Sequence, residues 1–255
     1  MIQKRLMMLL VIMLLVGSSV ILSPYWGDGE RNSKQTGDGR YHDNRDTRDS
    51  RDFSNEPPLS AMNIKKYKIV IDAGHGAMDS GAPGNSGSYE KWFTLSVAQK
   101  TYDLLRHEAM FEPFMTRSED TFIPLHERAV CANRLTADSF ISIHGNTFTD
   151  ARVSGTETYF HSIGSEGLAQ KIQMQLVQAL GFRDRGVKQY SWKVLQDCKG
   201  PAVLTEVGYL TNKNNEKMML SAEGQARAAH AIVEGLKQYF SAKHAQVNQQ
   251  TEMLP

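Results

Sequence analysis

Cysteine is scarce in this chain, which excludes two kinds of cysteine-dependent structure. The 255-residue sequence holds two cysteines, Cys131 and Cys198, and has no CxxC motif or Cys/His cluster. A framework of several disulfides is therefore excluded, and so is a cysteine-based metal site. Free thiols are the simplest interpretation. A single bridge between the two is the alternative, because pairing cannot be deduced from sequence.

A strong charge of either sign is lacking too. The 29 basic residues nearly balance the 28 acidic ones, which argues against nucleic acid as an electrostatic partner. No internal repeat is visible, and an apolar content of 40% is ordinary for a globular protein. The length allows one large domain or two small ones.

One apolar run stands apart near the N-terminus. Lys4 and Arg5 precede an uncharged segment at 6–22. As a helix it would span about 25 Å, slightly less than a bilayer core of about 30 Å but more than most signal-peptide cores. Residues 1–23 are therefore predicted to be a signal peptide or an N-terminal membrane anchor. Positive charge before the run places the rest of the chain outside the cytoplasm, and the lack of a clear small-x-small cleavage site favours the anchor.

The next segment, 24–63, is polar and contains the mixed-charge run RDTRDSRD followed by Pro57 and Pro58. So little apolar surface cannot offset the entropy of ordering, which predicts a flexible linker that ends in a stiff spacer. Residues 64–240 are predicted to form the globular domain, and 241–255 a polar, flexible tail.

Short apolar strands alternate with helical patterns through the globular part. Strands are predicted at 67–71, 111–116, 140–143, 156–160, 193–195 and 202–207, and helices at 90–107, 125–135, 164–180 and 221–240. This alternation predicts an α/β domain with a mostly parallel or mixed sheet and helices on both faces.

The first strand ends in a reactive cluster. Its apolar run at 69–71 gives way to the segment DAGHG, which includes His75, then to a glycine-rich loop, and finally to Glu90 at the start of a helix. The glycines let the backbone turn sharply, so the strand presents His75 at its carboxyl end. A surface histidine in a strand–helix connection is the plain alternative.

Two other strands carry ionisable residues at corresponding positions. The strand at 140–143 runs directly into His144, and the last strand carries Glu206. Ligands bind at the carboxyl ends of strands in open α/β sheets, so these groups converge on one crevice with His75. Glu90 lies on the inward face of its helix and joins them, whereas alone it would only complement the helix dipole.

Two imidazoles and one carboxylate are a standard ligand set for catalytic Zn²⁺, which keeps a fourth position for water. His75, Glu90 and His144 would form this set, and Glu206 would be free to act on the water. A nearby zinc ion would also offset the cost of an ionised glutamate in an apolar strand. The HExxH motif is absent, which excludes the commonest helical zinc-protease layout.

Five segments follow one another between residues 67 and 240. They are DAGHG, TRSED, LHERAVCANRLTADSFISIHGN, GTETYF and GPAVLTEVGYLTN, with a glutamate opening a helix after the first. Together they resemble the zinc-dependent N-acetylmuramoyl-L-alanine amidases of the Amidase_3 type, which are cell-wall hydrolases. The resemblance implies a single α/β domain with a twisted, mostly parallel sheet of about six strands. It assigns His75, Glu90 and His144 to zinc and Glu206 to catalysis.

The resemblance also implies a substrate. The reaction would be hydrolysis of the amide that joins the lactyl group of N-acetylmuramic acid to L-alanine in peptidoglycan. The expected protein is an extracytoplasmic monomer that contacts the membrane through its N-terminal segment if that segment is uncleaved. The alternatives are a wall-binding or regulatory protein that has lost catalysis, and a zinc peptidase that acts on another amide.

Four polar residues are further candidates near the site. Asp72 would hold a histidine ligand in one tautomer or cap the turn after the strand. Arg117 and Arg128 match family positions, and Arg128 would form either a structural ion pair or a substrate contact. Asn146 would donate to substrate or fix its loop.

Two mild departures from the family pattern touch no predicted ligand. Ala77 stands where a third glycine is frequent, and Gly145 stands where alanine is common. The short loop between His144 and Thr156 leaves little room for a blocking helix of the kind that some relatives carry. An open site is therefore expected.

Overall fold

Six strands form one sheet in the part of the chain that the computed structural model describes, residues 66–252. They are β1 (Tyr67–Ala73), β2 (Phe111–Met115), β3 (Ser139–Asn146), β4 (Thr156–Phe160), β5 (Asp184–Gln189) and β6 (Ala202–Tyr209). Their order across the sheet is β2-β1-β3-β6-β4-β5. Neighbouring strands are parallel except β4 and β6, which are antiparallel. The predicted α/β domain with a mostly parallel sheet is confirmed.

Helices cover both faces of this sheet, as predicted. They are α1 (Glu90–Arg106), α2 (Leu125–Leu135), α3 (Glu166–Leu180), α4 (Lys193–Gln196), α5 (Lys213–Leu220) and α6 (Ala222–Glu252). The larger core lies between the sheet and α1, α3 and α6, and includes Ile71, Phe93 and Ile172. A smaller core around Phe140 lies under α2 and α4.

Alternation along the strands decides which residues reach the candidate site. Successive strand residues point to opposite faces, so Asp72 shares the α2 face with Val70 of the smaller core. In the same way His144 follows Phe140 on that face. His144 is paired with Glu206 across β3 and β6. The sheet therefore aligns a histidine and a glutamate in one row.

One strand prediction is wrong, and two elements were missed. Residues 193–195 lie in the short helix α4 instead of a strand. The strand that was not predicted is β5, at the edge of the sheet. Its residues are all half-buried or exposed, so it lacks the apolar pattern that marks a strand. Helix α5 was not predicted either. It begins after Asn212, whose side chain accepts hydrogen bonds from the amides of Asn214 and Asn215.

Four elements, β1, β3, β6 and α6, extend past their predicted ends, and the extensions of β3 and α6 bear on the predictions. Strand β3 continues to Asn146, so His144 lies within the strand rather than after it. Helix α6 continues past the predicted end at 240 to Glu252. Most of the segment predicted as a flexible tail is therefore helical.

The predicted export segment at 1–23 and the linker at 24–63 lie outside the described residues. Within residues 66–252, no helix combines the length and apolar character needed to cross a bilayer. Cys131 and Cys198 are both free thiols, which agrees with the simpler of the two interpretations.

Candidate metal centre

Three of the predicted site residues meet at the carboxyl end of β1 and β3. His75 lies in the loop after β1, Glu90 is the first residue of α1, and His144 lies near the end of β3. Each offers one ligand atom, and these atoms lie within 4.8 Å of one another. Glu90 bridges the two imidazoles, with Oε2 at 3.0 Å from His75 Nε2 and Oε1 at 2.9 Å from His144 Nδ1. Two nitrogens and a carboxylate at this spacing form a donor set suited to a metal ion.

The Glu90 side chain is fixed from several directions. It is 4% exposed, and its oxygens accept hydrogen bonds from the amides of Ala82 at 2.8 Å and Gly145 at 2.9 Å. Burial alone would raise the pKa of Glu90, but contacts with His144 and His75 outweigh it and lower the pKa below its ordinary value. The ionised Glu90 side chain therefore contacts both histidines, and its role goes beyond complementing the dipole of α1.

The loop that carries His75 has an unusual backbone. His75, Gly76 and Ala77 all have positive φ, at 63°, 137° and 48°, a region that L residues rarely adopt. Glycine would adopt the positive φ of Ala77 without strain. In this chain the Ala77 amide donates to Asp120 Oδ1 at 2.7 Å and its carbonyl accepts from Lys91 Nζ at 2.9 Å. These bonds hold the strained turn.

Two buried arginines hold the same loop. Arg128 donates to the carbonyls of Ala73 at 2.7 Å and His75 at 2.9 Å. Arg117 donates to the carbonyls of Ala73 and Gly74, both at 2.9 Å. They are only 4% (Arg117) and 2% (Arg128) exposed. These contacts agree with the first of the two roles suggested for Arg128, a structural ion pair, rather than with a contact to substrate.

Two glycines lie at close approaches at the site. A Cβ on Gly74 would lie 2.4 Å from the His144 ring, so any side chain there would displace the histidine. A Cβ on Gly145 would lie 2.9 Å from Cε of Met219. This atom ends a flexible side chain, so a small shift of Met219 would make room for a Cβ at this position.

The hydrogen bonds of Asp72 differ from those that both suggested roles require. Its oxygens accept hydrogen bonds from Thr116 Oγ1 at 2.6 Å, Ser142 Oγ at 2.7 Å and Arg128 Nη1 at 2.9 Å. Among the described residues, no histidine and no backbone amide forms a hydrogen bond with its side chain. Asp72 is instead the acidic half of a buried ion pair that anchors Arg128 beneath the loop.

Replacing Asp72 with alanine is expected to lower the free energy of unfolding by about 3–5 kcal/mol, because Arg128 would be left buried without its partner. Urea denaturation of the two proteins measures the change. Asp150→Ala is the control, since Asp150 pairs with Arg152 at the surface and exposed pairs contribute little. Equal effects of the two substitutions would contradict this view of Asp72.

Besides Glu90, Asp79 is a carboxylate that approaches a candidate histidine ligand, and the sequence did not predict it. Its Oδ2 lies 2.9 Å from Nδ1 of His75, although the pair is not aligned as a hydrogen bond. Burial would lower the pKa of His75, but Glu90 and Asp79 outweigh it and raise the pKa above its ordinary value. The only sequence signal was an aspartate four positions after the histidine.

Glu206 faces the three candidate ligands across a shared cavity of about 360 Å³, which His75, Glu90 and His144 also line. Its Oε2 is buried and has no hydrogen-bond partner among the described residues. Burial, followed by the negative charges of Glu90 and Glu157, raises the pKa of Glu206 well above its ordinary value. A buried carboxyl oxygen without a partner is costly, and a cation or a proton donor close to Glu206 would reduce that cost.

A second glutamate lies next to Glu206 on the neighbouring strand β4. Glu157 of β4 is paired with Glu206 across the sheet and is 1% exposed. It contacts Lys188, and it accepts hydrogen bonds from Tyr209 Oη at 2.7 Å and Asn146 Nδ2 at 2.6 Å. Asn146 also accepts from the amide of Thr147 at 2.8 Å, which agrees with a role in fixing its loop, and it lines the cavity as a contact with substrate would require. The signal for Glu157 was a charged residue between the threonines of GTETYF.

The predicted absence of a blocking helix is confirmed within the described structure. Residues 147–155, between β3 and β4, form turns and irregular backbone only. No helix of this loop stands over the cavity.

Comparison with known proteins gives a consistent result. The Amidase_3 family model, described as N-acetylmuramoyl-L-alanine amidase, matches residues 69–238. The uncharacterized protein YqiI of Bacillus subtilis strain 168 is 43% identical over 185 residues, which cover 71% of this chain and 88% of YqiI. The N-acetylmuramoyl-L-alanine amidase LytC of the same strain is 39% identical over 199 residues, which cover 74% of this chain but 40% of LytC.

A solved structure shows the same architecture. The catalytic domain of CwlV, an N-acetylmuramoyl-L-alanine amidase from Bacillus (Paenibacillus) polymyxa var. colistinus, aligns with a TM-score of 0.67 at 39% identity. The alignment covers 69% of this chain and 98% of that domain.

Proposed function

Because this chain belongs to the Amidase_3 family of N-acetylmuramoyl-L-alanine amidases, we propose that it hydrolyses the amide between the lactyl group of N-acetylmuramic acid and L-alanine in peptidoglycan. The main support is the meeting of His75, Glu90, His144 and Glu206 around one cavity. Membership of the family indicates which reaction to expect, and the cavity contains residues with the chemistry that this reaction needs.

The proposed cofactor is Zn²⁺, held by His75, Glu90 and His144. Two imidazole nitrogens and one carboxylate oxygen within 4.8 Å of one another fit this ion. When bound, zinc supplies Lewis-acid chemistry that polarises a carbonyl and makes water more acidic. The lowered pKa of Glu90 keeps this ligand ionised.

Glu206 is proposed as the general base and acid. Glu206 lines the same cavity as the candidate ligands, where a water that attacks the amide would lie. Glu206 would take the proton of that water and return it to the leaving amine of L-alanine, so one carboxylate serves both steps. Its raised pKa makes Glu206 a strong proton acceptor once it is ionised, and a zinc ion bound nearby would favour the ionised form.

The proposed place of action is outside the cytoplasm, at the cell wall. Export would depend on residues 1–23, and residues 24–63 would tether the domain, which we propose is monomeric. The near balance of basic and acidic residues gives no reason to expect nucleic acid as a partner.

Digestion of purified peptidoglycan by the full chain, supplied with zinc, tests the proposed reaction. Mass spectrometry should find stem peptides with a free L-alanine amino group and glycan strands with free lactyl carboxylates. Cleavage inside the peptide would instead identify a zinc peptidase. Binding to peptidoglycan without any cleavage would identify the inactive, wall-binding alternative.

Replacing Asp79 with asparagine is expected to weaken zinc binding by about 10- to 100-fold, because a carboxylate next to a histidine ligand orients the ring and raises its basicity. Competition with a coloured chelator measures the affinity. Asp150→Asn is the matched control, since the two side chains are 42% and 39% exposed and each lies against a basic group. Unchanged affinity in Asp79→Asn would show that the contact with His75 is incidental.

A further inference from the structure

Three aromatic side chains form a continuous surface beside the cavity, which we name the aromatic shelf. It consists of Tyr159, Tyr190 and Trp192. Ring centroids are 4.8 Å apart for Tyr190 and Trp192, 5.9 Å for Tyr159 and Trp192, and 6.1 Å for Tyr159 and Tyr190. Tyr190 is 53% exposed and Trp192 is 40% exposed. Grouped aromatic rings left in water are a common mark of a binding surface.

The aromatic shelf is continuous with the candidate active site. Trp192 lines the same cavity as Glu206, and Tyr159 is paired with Leu204, another lining residue, across β4 and β6. The shelf therefore lies on the β4 and β5 side of Glu206. Leu125 and Ala82 line the cavity as well but belong to other elements. A substrate whose amide reaches Glu206 can thus place one half on the shelf and the other half elsewhere.

The charges around the aromatic shelf favour the sugar half of the substrate. Lys188 contacts Glu157, and Lys193 pairs with Asp197 at 2.6 Å, so both lysines already have an acidic partner. A stem peptide carries carboxylates and would gain most from unpaired cations. A pyranose ring is uncharged, and its C–H bonds carry partial positive charge that suits the negative face of an aromatic ring. Its hydroxyls can bond to polar neighbours such as Ser191, whose Oγ lies 3.4 Å from His161.

We propose that the aromatic shelf binds the N-acetylmuramic acid ring, with Trp192 as the main stacking surface. This proposal rests on the proposed function, because it assumes that the scissile amide lies at Glu206. It sets the direction of the substrate: sugar toward β5, and stem peptide toward the opposite end of the cavity.

The test measures binding without turnover. The full chain with Glu206→Gln is titrated calorimetrically with two probes. One is N-acetylmuramoyl-L-alanyl-D-isoglutamine, and the other is the same dipeptide bearing only a lactyl group. We expect the muramoyl probe to bind about tenfold more tightly than the lactyl probe, as one stacked ring would provide. Adding Trp192→Ala should make the two affinities nearly equal, and Trp192→Phe should keep most of the difference.

Trp92→Ala is the control, because Trp92 is 50% exposed but does not line the cavity. It should leave both affinities unchanged. Equal binding of the two probes by the Glu206→Gln chain, or binding of neither, would overturn the assignment. So would a loss in Trp192→Ala that is the same for both probes, which would place the lactyl-peptide half on the shelf. Failure of the proposed function would show separately, as absence of hydrolysis by the unsubstituted chain.

Discussion

Replacing Glu206 with glutamine is expected to lower kcat by about 10²- to 10⁴-fold, because the amide cannot accept the proton of the attacking water. Glutamine has nearly the same shape, and Glu206 is not one of the three candidate ligands. Zinc content and fold should therefore be retained. The rate is measured as stem peptide released from peptidoglycan, and the metal by mass spectrometry of the purified protein.

The neighbouring Glu157 supplies a contrast for this prediction. Glu157→Gln removes a carboxylate directly across the sheet from Glu206, and Lys188 then loses its acidic partner. This variant should lose thermal stability and retain much more of its rate than Glu206→Gln. Full activity in Glu206→Gln would assign the proton transfers to another group.

Replacing Glu90 with glutamine is expected to weaken zinc binding by at least about 100-fold, more than the loss of a residue that only orients a ligand. The amide group also fits its surroundings poorly. Both Glu90 oxygens accept from backbone amides and contact imidazoles, whereas an amide nitrogen cannot accept. Chelator competition measures the affinity, and thermal melts with and without zinc measure the linked stability.

A matched control separates ligation from a favourable charge at the start of a helix. Glu127 lies in the first turn of α2, as Glu90 does in α1, but its side chain is 59% exposed. Glu127→Gln should leave zinc affinity unchanged. If the two variants bound zinc equally well, Glu90 would be no more than a complement to the helix dipole.

The candidate ligand set could be predicted because strong local patterns place it. Apolar runs mark β1, β3 and β6, and the polar residues at or near their carboxyl ends must share one edge of the sheet. Glu90 follows from the helical period. These rules need no knowledge of side-chain packing, and they brought His75, Glu90 and His144 together as the structure does.

The surroundings of the ligands could not be predicted in the same way. Asp72 is only three positions from His75, but strand alternation turns it toward Arg128, 56 positions away along the chain. Asp79 reaches His75 because the loop between them has positive φ at three residues, and only one of the three is a glycine. Strand β5 has too few buried residues to leave a pattern. Each case depends on partners that no local window contains.

The position of β6 has a consequence for how the enzyme is assembled. All three candidate zinc ligands precede residue 145, whereas Glu206 lies on the last strand, which fills the middle of the sheet between β3 and β4. Before β6 is inserted, β4 and β5 have no strand that joins them to the rest. A chain that folds from its N-terminus can gather its candidate metal ligands early, but it gains Glu206, the proposed proton-transfer group, only with the strand that closes the sheet. The proposed catalytic site is therefore complete only once the sheet is closed.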